Sequence, residues 1–169
     1  MREPETIQAT TDGIVRAIVS ARPHVSPLLL RGQDGIKASL PDTAFEVVRV
    51  RIHDADTVIG DVLLPWSTCL VNQEIRAAGF DAYEVTKTRQ TEPFKHFSNE
   101  EWAAEIAKGT LARDALRKLA EGGQVYVEWI PAKERSAYGR IEGALWVRTK
   151  SGRIVNVREW AHEHKFVRE

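Results

Sequence analysis

An α+β fold, mainly β, is predicted for this chain: a five-stranded Greek-key barrel of the OB type with two to three helices, preceded by an N-terminal extension. Three observations point there. Three segments between residues 45 and 81 alternate apolar and polar residues as half-buried strands do. Two more alternating segments follow residue 124, and capped helical stretches separate and follow the two groups. Three strands, helix, two strands and helix is the element order of such a barrel, whose closure removes exposed sheet edges.

Residues 1–44 form the extension. Short apolar runs, Ile14 to Val19 and Val25 to Leu30, alternate with Pro23, Pro27, Gly32, Gly35 and Pro41. That mixture suits one or two strands or an extended arm better than a long helix. Leu28-Leu29-Leu30 needs cover, supplied either by packing on the barrel or by a protein partner docked through this arm.

Residues 45–169 form the barrel domain. Its first strand, Glu46 to His53, sets Val48, Val50 and Ile52 toward the core and Arg49, Arg51 and His53 toward water. The second runs from Thr57 to Leu64 and the third from Asn72 to Phe80, joined by a hairpin decorated with Pro65-Trp66-Ser67. Ser98-Asn99-Glu100-Glu101 is a capping box that opens a helix. Gly109-Thr110 is expected to end that helix and start a second, reaching Glu121, with Leu111, Ala112, Ala115, Leu116 and Leu119 on its apolar face. Arg113, Arg117 and Lys118 then form a solvated face. Gly122-Gly123 stops the helix, Gln124 to Ile130 and Gly143 to Thr149 are strands, and Asn156 caps a last helix with Val157, Trp160, Ala161 and His164 on one face.

The 169 residues are 43 % hydrophobic and 28 % charged, the profile of an ordinary globular domain. With 24 basic and 24 acidic side chains the net charge is zero, so no general pull toward polyanions is built into the totals. No stretch is long and apolar enough for a membrane span, and the only early apolar run, Ile14 to Val19, is interrupted by Arg16 and does not read as a signal peptide, so a cytoplasmic setting is expected. The single cysteine, Cys69, is expected to be a buried small residue.

The ends of the second and third strand segments carry the chemistry. If the first strand ran on regularly, Asp54 and Asp56 would fall on its buried parity, and Asp81 shares parity with Ile75, Ala77 and Gly79. Buried carboxylates need a cation or strong donors. Asp54 and Asp56 alone would be an acidic hairpin turn; with Arg76, Asp81, Glu84 and Arg140 in order they become a hard-metal and phosphate site.

Asp54-x-Asp56-Thr57, Arg76 five residues before Asp81, Glu84 three after it, and Tyr138-Gly139-Arg140 together resemble the staphylococcal (micrococcal, thermonuclease-like) nuclease family over residues 45–169. The resemblance implies Ca²⁺-dependent cleavage of DNA and RNA to 3′-phosphate ends. It implies metal ligation by Asp56, Asp81 and the Ala82 backbone carbonyl, with Asp54 behind them, and catalysis by Arg76, Glu84 and Arg140. Thr57 and Tyr138 are the expected substrate contacts. The chain departs from the family at Ala55, where a glycine is usual, and at Ala82-Tyr83, where Thr-Pro is usual.

The chemistry suits those residue types. Carboxylate and carbonyl oxygens are the ligands Ca²⁺ prefers, a glutamate beside the metal can orient and deprotonate water, and arginine forks grip phosphate in two places. The alternatives are an OB-type module that binds nucleic acid or protein without cutting it, and a nuclease-like component of a virion or secretion particle docked through residues 1–44. His162 and His164 point about 200° apart on a helix and are expected at the surface, His53 is expected outside and without a role, and most of the five tryptophans are expected in the core.

Overall fold

A computed structural model of the chain describes residues 39–87, 96–129 and 140–168. Six strands appear: β1 (Ala44–Ile52), β2 (Thr57–Leu63), β3 (Cys69–Ala77), β4 (Gln124–Trp129), β5 (Ile141–Arg148) and the short β6 (Ile154–Asn156). Two helices lie among the described residues, α1 (Asn99–Ala120) and α2 (Val157–Glu163).

The sheet order is β3-β2-β1-β4-β5-β6, and a parallel pairing of β3 with β5 joins its ends. Ile75 pairs with Ile141 and Ala77 with Gly143 there, so β1, β2, β3, β5 and β4 close into the five-stranded barrel expected from the sequence. Every other pairing is antiparallel. β6 was not anticipated; it is a three-residue ribbon that follows the turn after β5 and leads into α2.

Inward side chains fill the barrel. Val47, Val58, Val62, Ile75, Val127, Ile141, Leu145 and Val147 are almost wholly buried, and α1 covers them with Ala112 and Leu116, α2 with Val157, Trp160 and Ala161. Each such aliphatic side chain contributes about 1.5–3 kcal/mol of transfer free energy.

The alternation expected along β1 is corrected by a bulge. Phe45 and Val47 are buried, whereas Val48 and Val50 are only half-buried, and burial resumes at Ile52. Between Val48 and Arg51 the register against β2 shifts, with Arg49 at φ 52°. One extra residue in a strand reverses which parity faces inward. After the bulge Ile52 sets the parity, and Asp54 and Asp56 follow it into buried positions.

Gly109 does not break the helix: α1 runs unbroken for 22 residues. The glycine is there for a close approach, since a Cβ at 109 would lie 2.2 Å from the Glu84 carbonyl oxygen and 2.7 Å from that of Tyr83. The register of the apolar stripe moves accordingly to Trp102, Glu105, Gly109, Ala112 and Leu116, and Leu111 is exposed. The capping box at the start of α1 is formed as expected, with Ser98 accepting from the Glu101 amide and Glu101 accepting from the Ser98 amide. Asn156 likewise accepts from the amides of Arg158 and Glu159.

Two further expectations are adjusted. Cys69 opens β3 and is exposed, because the register shift of β3 against β2 reverses the parity it would otherwise share with the buried Ile75 and Ala77. Trp66 is 63 % exposed at the tip of a tight turn in which it and Ser67 both have φ 58°, closed by the Leu64 amide on Thr68. That turn lies at the end of β2 away from Thr57 and decorates the hairpin as expected. Trp102 and Trp160 are buried as expected, and His53, His162 and His164 are exposed. No helix among the described residues is long and apolar enough to cross a membrane.

Candidate functional site

One mouth of the barrel collects the end of β1, the start of β2, the end of β3 and the start of β5. Thr57 pairs with Arg76 and Arg76 with Glu142, so the turn 53–56 and the segment after Ala77 meet there, while residue 140 falls beside Glu74, two positions back along β3. Backbone bonds tie the turn in place: the Ala77 amide donates to the Asp56 carbonyl at 2.6 Å and the Ala78 amide to the Gly143 carbonyl at 2.9 Å.

Asp56 is the centre of this arrangement and is 3 % exposed. Its Oδ2 accepts from the Ala82 amide at 2.7 Å, and its Oδ1 from the Thr57 hydroxyl at 2.8 Å. Arg76 reaches both oxygens, with Nη2 3.2 Å from Oδ2 and Nη1 3.4 Å from Oδ1, and the same Nη2 pairs with the Asp81 carboxylate. Asp54, also buried, accepts from the Asp56 amide at 3.2 Å and has His53 Nδ1 3.1 Å from its Oδ2. Burial, reinforced by the neighbouring Asp54 charge, pushes the Asp56 carboxyl up to about 7 against the opposing pull of the Ala82 amide and Arg76. Two buried acids thus share one arginine and are short of positive charge.

The Asp81 side chain is mostly exposed and pairs with Arg76. Arg140 lies just before β5, its Nε 3.1 Å from Glu74 Oε1. By the register of β3 and β5 it shares the outer face of the barrel with Arg76. Tyr138 lies outside the described residues.

Glu84 sits in a second cluster that sequence reasoning missed. Its amide donates to Glu105 Oε1 at 3.1 Å, and its Oε1 is 3.3 Å from Arg168 Nη2. That nitrogen also donates to Glu105 Oε1 at 2.8 Å and to the Ala82 carbonyl at 3.0 Å, while Arg168 Nε reaches Glu105 at 3.2 Å. The signal for Glu105 was present in the sequence. A carboxylate falls on the stripe Trp102, Gly109, Ala112 and Leu116, but reading a helix break at Gly109 hid the stripe.

All the oxygen donors assigned to a cation are hard ligands of the kind Ca²⁺ takes. Among the described residues no three His, Cys, Asp or Glu side chains converge as a metal cage, so Asp56 and Asp81 are the carboxylates available, with the remaining positions for carbonyl and water. The charge-poor Asp54/Asp56 pair fits a cation; the Ala82 carbonyl already holds an arginine. Ala55, the departure from glycine, does not have positive φ, so its side chain meets no backbone penalty.

A separate groove of about 910 Å³ lies between the bulged half of β1 and the C-terminal end of α1. It includes Val48, Val50 and Arg117 but none of the candidate residues. No known protein family matches the chain, and neither does any curated protein.

Proposed function

We propose that the protein is a Ca²⁺-dependent phosphodiesterase that cleaves DNA or RNA, with the site chemistry of the staphylococcal nuclease family. The observation that supports this most is the meeting of Asp56, Asp81 and Arg76 at one barrel mouth, with Glu84 held on the same segment as Asp81. Asp56, Arg76 and Asp81 are neighbours through the antiparallel pairing of β2 with β3, which sets Thr57 opposite Arg76.

In this reading Asp56 and Asp81 hold the cation, and Asp54 sets Asp56 through its amide. The bound ion would supply charge neutralisation at the phosphate and bring water within reach of it. Thr57, whose hydroxyl donates to Asp56, keeps that carboxylate aimed. Glu84 takes the proton of the attacking water. Arg76 and Arg140 grip the phosphate oxygens and stabilise the added charge of the transition state. Arg76 is held by two carboxylates at rest, so a phosphate has to draw the guanidinium partly away from them.

Purified protein is expected to cut single-stranded DNA, duplex DNA or RNA in Ca²⁺ and to stop in chelator. Glu84→Gln should lower turnover by roughly 10²- to 10⁴-fold, the usual contribution of a general base, with its unfolding transition retained. Cutting that persists in Glu84→Gln would remove Glu84 from its role. No cutting with Ca²⁺ or Mg²⁺ would turn the site toward binding without catalysis, or toward a carried component of a larger assembly.

A further inference from the structure

We propose that Arg168 is a positioning residue for this site, acting with Glu105 as a clamp that sets the Glu84 carboxylate and the Ala82 carbonyl. The inference rests on the phosphodiesterase reading and names a residue that reading does not contain. Glu105 is 8 % exposed, on the face of α1 that covers the barrel, and a carboxylate buried there requires a charged partner. Arg168 supplies it. Its Nη2 lies 2.8 Å from Glu105, 3.0 Å from the Ala82 carbonyl and 3.3 Å from Glu84, so one nitrogen joins the helix to the segment 81–84.

The backbone places it there. Val167 bridges Ala82 in antiparallel fashion, and the Arg168 amide donates to the Asp81 carbonyl at 2.9 Å. From the other side Glu105 accepts the Glu84 amide, and Gly109 lets α1 pack directly against the carbonyls of Tyr83 and Glu84. The segment 81–84 is therefore gripped by a helix below and by residues 167–168 beside it. A base that must meet one water has to be fixed to a fraction of an ångström, and here the fixing charge is Arg168. Lysine would keep the charge but lose the second guanidinium contact, that of Nε with Glu105.

The test is a double-mutant cycle on the full-length protein, with cleavage of a single-stranded DNA oligonucleotide in Ca²⁺ and hydrogen exchange of the Glu84 amide without metal. Arg168→Ala is expected to lower kcat about 100-fold, the scale of a misplaced group, with KM changed little. Arg168→Lys should recover part of the loss. In the Glu84→Gln background the same Arg168→Ala change should cost little more, because residues that act as a unit are not additive. The Glu84 amide should exchange faster in Arg168→Ala. Equal losses of kcat in the two backgrounds, or unaltered exchange, would overturn the clamp. If Arg168→Ala does not fold, Arg168→Lys carries the same comparison. Wild-type protein that cuts nothing overturns the phosphodiesterase reading and the clamp with it, a result distinct from wild-type cutting that Arg168→Ala leaves unchanged.

Discussion

Asp61 controls the strands on either side of it. It is buried on β2 with Oδ1 accepting the Asn72 amide at 2.7 Å and Oδ2 facing the Arg49 guanidinium. Asn72 and Arg49 both have φ near +50° and lie on β3 and β1 respectively, where each strand shifts register against β2. A carboxylate between two bulges offsets the strain of two left-handed residues, each of which costs about 1–2 kcal/mol. The Asn72 amide, together with Arg49 and against the effect of burial, holds Asp61 below the usual carboxylate range. A lowered native pKa stabilises the fold fully above the unfolded value near ~4, and the contribution is lost as pH falls through the native value. Asp61→Asn is therefore expected to be less stable than wild type in urea at pH 7, with the gap narrowing toward pH 3. A gap that widens on acidification would contradict this account.

At the scale of elements, α1 has two apolar positions of opposite consequence. Leu116 is buried and Leu111 is 63 % exposed. Leu116→Ala should cost about 2–5 kcal/mol, whereas Leu111→Lys should change stability by less than about 0.5 kcal/mol. Gly109→Ala tests the same helix from its other side. In an open helix that change gains about 1 kcal/mol, but here the new methyl meets the Glu84 carbonyl 2.2 Å away. Expected instead is a loss of roughly 1–3 kcal/mol, together with slower cleavage, since the strained contact is the segment that carries Glu84. Thermal unfolding of the three variants reads all of these, and a stabilised Gly109→Ala would refute the close-approach explanation.

For the molecule as a whole, the proposed site would couple closure of the barrel to occupancy of its mouth. Asp54 and Asp56 are buried between strands whose pairing they border, and burial beside a second carboxylate disfavours the charged form of Asp56. A ligand that binds only the folded state raises its stability by about 2.7 kcal/mol at a hundredfold excess over Kd. Ca²⁺ is therefore expected to raise the thermal midpoint, and Asp56→Asn to abolish the increase. A midpoint indifferent to Ca²⁺ in the wild type would remove the cation from the proposed mechanism.

The sequence by itself determined the barrel class, five of its strands and the starts of both helices, because alternation and caps are local. Ile52 and the two aspartates beyond it share a parity that could be read directly, and Ser98 with Glu101 and Asn156 marked their helices without error. What only the tertiary structure decided were contacts between residues distant in the chain. The bulge at Arg49 depends on a carboxylate in the next strand, the unbroken path of α1 through Gly109 depends on the backbone at Glu84, and Arg168 finds Glu105 63 positions away. Periodicity records which face of an element is covered. It does not record what covers it, and the residues that hold Glu84 in place belong to that second kind of information.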